Sequence, residues 1–332
     1  MQSDPSPSPA SPVGGRSSNR SGGRAAGHLE AVLTALFVTL LWSSSWILIR
    51  IGLDDEDLAP LTFAGLRYSL AALVLLAWSA SHLDHRTNAR TAVRSRWRPL
   101  VILGVVYFAI TQGAQFVAID AQPAATSSLM LAPTALFVAM LSARSLGEEP
   151  QRLQFVGTAL IIVGAVLYFS GDLGATVVGM IASIVGLGAN TAGSLLGRSV
   201  NRDGSLPPVL VTAVSMSVGA PLLLVTGLAI EGRPQLDVKV IAIIVWLAVV
   251  NTAVAFTLWN RSLRRLAAVE SAAINNTMLI QIAGLAWLFL DESPGLVGVV
   301  GILTVSSGAF LATFPIQRRR TRVAGAAEDR GV

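Results

Sequence analysis

The sequence predicts an all-α membrane protein of ten transmembrane helices arranged as two inverted five-helix repeats. Three observations carry this. Hydrophobic residues make up 53% of the 332 residues and charged residues only 13%, against roughly 25% charged in an ordinary soluble domain. Such a chain cannot present a wettable surface, so lipid is the expected solvent. From Leu29 onward, apolar runs long enough to cross a bilayer, about 20 residues, alternate with short polar breaks. Finally, the stretch Ala121 to Ser170 recurs at Arg265 to Phe314.

The recurrence keeps one offset. Leu146-Gly147-Glu148-Glu149-Pro150 aligns with Leu290-Asp291-Glu292-Ser293-Pro294, 144 residues later. The same offset superposes Ser127 on Ser271, Ala139 on Ala283, Gly157 on Gly301 and Gly164-Ala165 on Gly308-Ala309. Each copy is an apolar helix, an acidic turn closed by proline, and a second apolar helix with glycines seven apart.

Residues 1–28 are rich in Ser, Pro, Gly and Arg and read as a disordered cytoplasmic tail. No cleavable signal peptide is expected, because the first apolar run starts late and no small-residue cleavage site follows it. Ten runs follow: 30–51, 60–82, 99–118, 122–143, 152–170, 174–197, 207–230, 238–260, 267–290 and 295–315. Pro60, Pro150 and Pro294 each follow an acidic or hydroxyl residue at or near a run's start, as suits a first helical turn. The first repeat spans 29–172 and the second 173–316, leaving 317–332 as a basic cytoplasmic tail.

The basic residues set the orientation. With the N-terminus in the cytoplasm, twenty of the 24 basic residues fall in cytoplasmic segments. Only Arg233 and Lys239 fall in outer loops, and the first outer loop, Asp54-Asp55-Glu56-Asp57, is purely acidic. This is the positive-inside pattern. Arginine outnumbers lysine 23 to 1, as in a GC-rich bacterial genome. An offset of five helices turns the second copy upside down. Inverted repeats of this kind are the architecture of secondary transporters, whose site lies near the midplane between the halves.

The first run holds Leu40-Leu41-Trp42-Ser43-Ser44-Ser45-Trp46 and the second opens Pro60-Leu61-Thr62-Phe63-Ala64-Gly65-Leu66-Arg67-Tyr68; the fourth has an Ala-rich start with Pro133 and is followed by Leu146-Gly147-Glu148. On these residues the chain resembles the EamA-type branch of the drug/metabolite transporter superfamily. The resemblance covers about residues 30–315. One departure is Thr277, which stands where the second copy should repeat Pro133. The resemblance implies ten helices, alternating access, and export or import of small metabolites. It leaves the substrate open.

Candidate cavity residues are polar, aromatic or helix-breaking groups at mid-span. Pro133 removes a backbone hydrogen bond, making either a hinge at the site or a static bend. Asn275 and Asn276 are costly in lipid unless they line a cavity or bond a neighbouring helix, and Gln281 extends their face. Trp42, Ser43 and Trp46, with Ser45, suit the wall of an organic-ligand pocket or close helix packing. Gln112, Gln115, Asn190, Thr191, Asn251, Trp259 and Asn260 are further candidates. Arg67 could attract an anionic group, though snorkelling to the acidic loop at Asp54–Asp57 is the blander reading. Glu270 and Glu30 could gate the inner mouth through Arg261, Arg264 or Arg265, or simply open their helices.

Glu148 and Glu292 pair in the alignment but lie on opposite membrane faces, about 30 Å apart. They are expected to complement the dipoles of the helices beginning at Pro150 and Pro294. The glycines at 157, 164, 301 and 308 are expected to seal their helices against their own bundles, or to join two protomers in a homodimer.

The chain has no cysteine, which excludes disulfides and thiolate metal sites. No metal site or cofactor is expected, and the scattered arginines offer no nucleic-acid face. No Asp, Glu, His or Lys lies at mid-span, so a proton relay has no support. A membrane enzyme would need clustered acids, histidines or a metal site. A secondary transporter of a small organic metabolite in the cell membrane, acting in efflux, fits best, with amino acids, amines and drug-like compounds as substrate classes. The alternatives are a nucleotide-sugar or phosphate-linked antiporter of the same fold, or a non-transporting membrane partner protein.

Overall fold

A computed structural model describes residues 18–54, 56, 58–82, 89–134, 137–138, 140–141, 152–170, 174–201, 205–263, 265–266 and 274–313. The described residues form helices joined by short turns and loops, with no strand among them. We label the main helices α1 (Ser18–Asp54), α2 (Pro60–His82), α3 (Trp97–Ala121), α4 (Ala124–Leu131), α5 (Arg152–Phe169), α6 (Val177–Asn201), α7 (Pro208–Ile230), α8 (Val238–Trp259), α9 (Ile274–Leu290) and α10 (Leu296–Thr313). Six of them, α1, α2, α3, α6, α7 and α8, contain segments long and apolar enough to cross a membrane. Apolar segments of α5, α9 and α10 are shorter. Large apolar side chains such as Leu73, Val166, Ile181 and Trp287 face outward, as befits a chain solvated by lipid.

The two repeats exchange partners. The first helix of each copy packs on the third and fourth helices of the other copy: α1 on α8 and α9, and α6 on α3 and α4. Corresponding helices also meet directly, α2 against α7 and α5 against α10. The core follows this plan. Phe63, Tyr68, Phe116, Met216, Leu223 and Leu247, from both repeats, form one buried cluster.

Lipid tails are as apolar as leucine, so helices associate through close packing and polar ties rather than the hydrophobic effect. Small residues supply the close packing. A Cβ on Gly164 would sit 2.6 Å from the Val305 amide nitrogen, and one on Gly301 would sit 2.7 Å from that of Tyr168. The glycine stripes therefore press α5 against α10, joining the two repeats within one chain. The expectation that they seal each helix to its own bundle is corrected accordingly.

Acidic side chains tie the same halves at their helix starts. The first amides of a helix have no intrahelical acceptor. Glu231, after α7, accepts from the amides of Leu61 and Thr62 at 2.9 and 2.8 Å and from the Thr62 hydroxyl at 2.8 Å. Glu292, between α9 and α10, accepts from Ala124 and Ala125 at 3.0 and 3.3 Å. Glu292 was expected to serve its own helix, α10, and instead caps α4 of the other repeat. The left-handed backbone at Asp291 (φ 54°) turns the chain at that point. Glu148 lies outside the described residues.

Replacing Gly301 by leucine is expected to destabilise the protein by about 1–3 kcal/mol through overpacking. Gly284→Leu, at a position with open space around it, should leave the unfolding temperature in detergent unchanged. A Gly301→Leu protein that melts with wild type would contradict the α5–α10 contact.

Candidate functional site

Among the described residues, four departures from regular α-helix fall in two pairs about 144 residues apart. In α4 the helix breaks at Ala132–Pro133, as expected of a proline that cannot donate. In α9 it breaks at Thr277, which occupies the equivalent position without being proline. There the hydroxyl donates to the Ile274 carbonyl at 2.6 Å and the Thr277 amide turns back to the same carbonyl at 3.1 Å. The other pair is a π-helical turn in α3, Gly104–Ile110, and one in α8, Val249–Val254. Threonine hydroxyls five residues on also donate to carbonyls at these turns, Thr111 to Val106 at 2.9 Å and Thr252 to Leu247 at 2.8 Å. Such bulges concentrate at functional sites.

These four irregularities surround a cavity of about 490 Å³, within the range of small-molecule sites. Trp42 and Trp46 line it from α1, Gln112 and Gln115 from α3, Asn190 from α6, Asn251 from α8, and Asn275 and Asn276 from α9. Ala132 and Thr134 line it on either side of Pro133. Arg67 and Tyr68 enter from α2, and Tyr107 from the α3 π turn.

Other expected residues stand behind this wall. Ser43 is fully buried and donates to Gln281 Oε1 at 3.0 Å. Gln281 Nε2 donates to the Thr39 and Thr277 hydroxyls at 3.2 and 3.1 Å. Ser43 and Gln281 thus fasten α1 to α9, and neither is a lining residue. Trp259 backs Trp42, their rings 5.2 Å apart, with Phe256 at 5.3 Å on the same indole. Thr191 is buried and donates to the Leu187 carbonyl. Glu270 lies outside the described residues. Glu30 pairs with Arg265 at 2.8 Å, with Arg261 at 3.9 Å, all three side chains exposed, so the pair contributes little to stability.

Arg67 departs most from expectation. It does not snorkel to the acidic loop. Its side chain is 4% exposed and lies against the Tyr68 ring, 4.9 Å from the centroid. Nη2 reaches the Ser45 and Thr252 hydroxyls, each at 3.4 Å. It is Arg50 that serves the loop end, pairing with Asp54 at 2.6 Å and donating to the carbonyls of Ile119 and Asp120. Sequence reasoning missed Tyr68 and Tyr107. Tyr68 donates to Gln112 Oε1 at 2.5 Å, and Tyr107 sits 144 residues before Asn251, a signal the offset already offered.

Among the described residues, the cavity is closed off at one end. The lining reaches Trp46 on α1 and Gln115 on α3, then gives way to ties at the acidic-loop end. These are Arg50 on the α3 carbonyls, Gln122 on Ser127 and Ser183 at 3.1 Å each, and Glu292 on α4. Toward the arginine-rich end the lining continues through Val138 and Ser194.

Paired repeats, matched helix breaks and a central polar cavity define a multi-pass membrane protein of the secondary-transporter architecture. The chain belongs to the EamA-like transporter family, whose model matches residues 29–170 and again 175–314. It is 26% identical to the "Probable amino-acid metabolite efflux pump" of Escherichia coli K12, across 86% of this chain and 95% of that protein. It is 26% identical to the "Probable terminal-alkyne amino-acid exporter" of Streptantibioticus cattleyicolor, across 83% and 93%. A solved structure, described only as the crystal structure of a protein, superposes with a TM-score of 0.64 at 18% identity, covering 86% of this chain and 96% of its own.

Gln281→Leu is expected to lower stability by about 1–3 kcal/mol, because it strands the buried Ser43 hydroxyl. Thermal unfolding in detergent reads this directly, and an unchanged midpoint would show that the α1–α9 fastening carries no weight.

Proposed function

We propose that this protein is a secondary transporter that moves a small organic metabolite out across the cytoplasmic membrane by alternating access. The observation that carries the reading is the cavity between the two copies, bordered by breaks at Pro133 and Thr277. A broken helix is a place where two rigid halves can pivot, and its freed backbone faces the ligand. The export direction and the amino-acid character of the cargo are supported by the names of two relatives that cover most of the chain.

The Arg50, Gln122 and Glu292 ties support a state closed at the acidic-loop end. Export would then require the Arg50, Gln122 and Glu292 contacts to part while the other end closes. Among the described residues, Arg67 is the one basic side chain lining the cavity. A phosphate-linked substrate would want several, which disfavours the antiporter alternative. The basic-residue distribution supports placing the arginine-rich end and both termini in the cytoplasm.

Two experiments test this. Purified protein in liposomes should exchange radiolabelled neutral amino acids across the bilayer, and Trp42→Ala should slow exchange about tenfold or more by removing the aromatic wall. Wild-type exchange no faster than empty liposomes sinks the transport reading. The absence of cysteine makes the topology accessible as well. An impermeant maleimide applied to intact cells should label Ser293→Cys and spare Ser199→Cys until the membrane is permeabilised. The reverse pattern would overturn the orientation.

A further inference from the structure

Arg67 is a buried cation with no carboxylate paired to it among the described residues. A guanidinium keeps its proton in any protein environment, and an unpaired buried charge is strongly unfavourable. Neutral neighbours compensate in part: the Tyr68 face and two hydroxyls at 3.4 Å, both on Nη2. Nε and Nη1 have no hydrogen-bond partner. Either fork of the guanidinium therefore keeps one unpartnered nitrogen, and a fork is the shape that receives a carboxylate through two hydrogen bonds. Among the described residues lining the cavity, none is Asp or Glu.

A second unpartnered group belongs to the same cluster. Asn251 is fully buried in the α8 π turn. Its Nδ2 donates to the Leu41 carbonyl and to the hydroxyls of Ser44 and Ser45, at 3.1 and 3.0 Å. The Leu41 carbonyl can only accept, which fixes the orientation of the amide. Asn251 Oδ1 has no partner. Ser45 Oγ is shared between Nδ2 and Arg67 Nη2, so the cation and the free acceptor sit on one connected network. Beside it stand Trp42, Trp46, Phe256 and Ile282, an apolar wall.

We propose that Arg67 and Asn251 form a dipolar clamp for a neutral α-amino acid. The guanidinium takes the carboxylate, Asn251 Oδ1 takes the ammonium, and the apolar side chain lies on the Trp42 wall. One cation matches one carboxylate, which selects against phosphate esters and dicarboxylates. An acceptor without charge holds an ammonium only when the carboxylate balances it, which selects against amines lacking an acid. The clamp rests on the proposed transport reading for its biological use. Its chemistry is testable without transport.

The test is equilibrium binding to the purified full-length protein, by calorimetry and thermal shift. The probes are L-leucine, L-leucinamide, 4-methylpentanoate and inorganic phosphate. L-leucine should bind wild type, and L-leucinamide, which lacks the carboxylate, should bind about ten- to a hundredfold more weakly. 4-Methylpentanoate, which lacks the ammonium, should lose a smaller factor, about three- to tenfold. Arg67→Lys should weaken leucine binding about tenfold or more, and in Arg67→Gln leucine and leucinamide should bind alike. Wild-type protein that binds leucine and leucinamide equally, that binds neither leucine nor 4-methylpentanoate, or that prefers phosphate to leucine overturns the clamp with no variant needed. Carboxylate-dependent binding without leucine exchange in liposomes overturns the transport reading and supports the clamp. Leucine exchange indifferent to Arg67→Lys overturns the clamp and supports the transport reading.

Discussion

Every backbone amide and carbonyl in the hydrocarbon must find its partner within the protein, and the rest of the structure answers to this constraint. Most of the chain meets it with unbroken helix. Among the described residues, the breaks at Pro133 and Thr277 and the two π turns border the central cavity, while Pro221 is accommodated within the continuous helix of α7. At three of the four, a threonine hydroxyl adds a donor to a carbonyl at the irregular turn: Thr111, Thr252 and Thr277. The cavity is thus where the fold tolerates irregular backbone, and irregular backbone is what lends the cavity its polar character.

Between helices, the same solvent removes the usual driving force for association. Contact geometry and polar ties replace it. Gly164 and Gly301 let α5 and α10 approach to backbone contact, while Glu231 and Glu292 reach across to satisfy the first amides of α2 and α4. Each of these devices links one repeat to the other. The carboxylate caps do so with a charge placed at the positive end of a helix dipole, where it is most stabilising.

The plan of the fold was legible from composition, run length and the 144-residue offset, because each reports a constraint that acts on the whole chain. The site was legible only in part. Trp42, Trp46, Gln112, Gln115 and Asn251 line the cavity as mid-span polar and aromatic residues can. Ser43 and Gln281 carry the same local signal and instead bond each other, a choice made by partners 238 positions apart. Arg67 lies near an acidic loop in sequence, yet its side chain runs to Ser45 and Thr252, which depends on how α1 and α8 sit against α2. The helix break at Thr277 had no proline to announce it. Its one signal was its position opposite Pro133. Glu148 and Glu270 fall outside the described residues.

The exchange of helices between repeats has a consequence for synthesis. When the ribosome has completed only the first repeat, α1 already exposes Ser43, Ser44 and Ser45, whose amide partners Asn251 and Gln281 are not yet made. The Gly157–Gly164 stripe of α5 likewise waits for α10. The contacts that tie α1 and α5 to the second repeat can therefore form only after α8, α9 and α10 have been made. A chain ending before α8 would lack Asn251 and Gln281, the amides that tie Ser43, Ser44 and Ser45 to the second repeat.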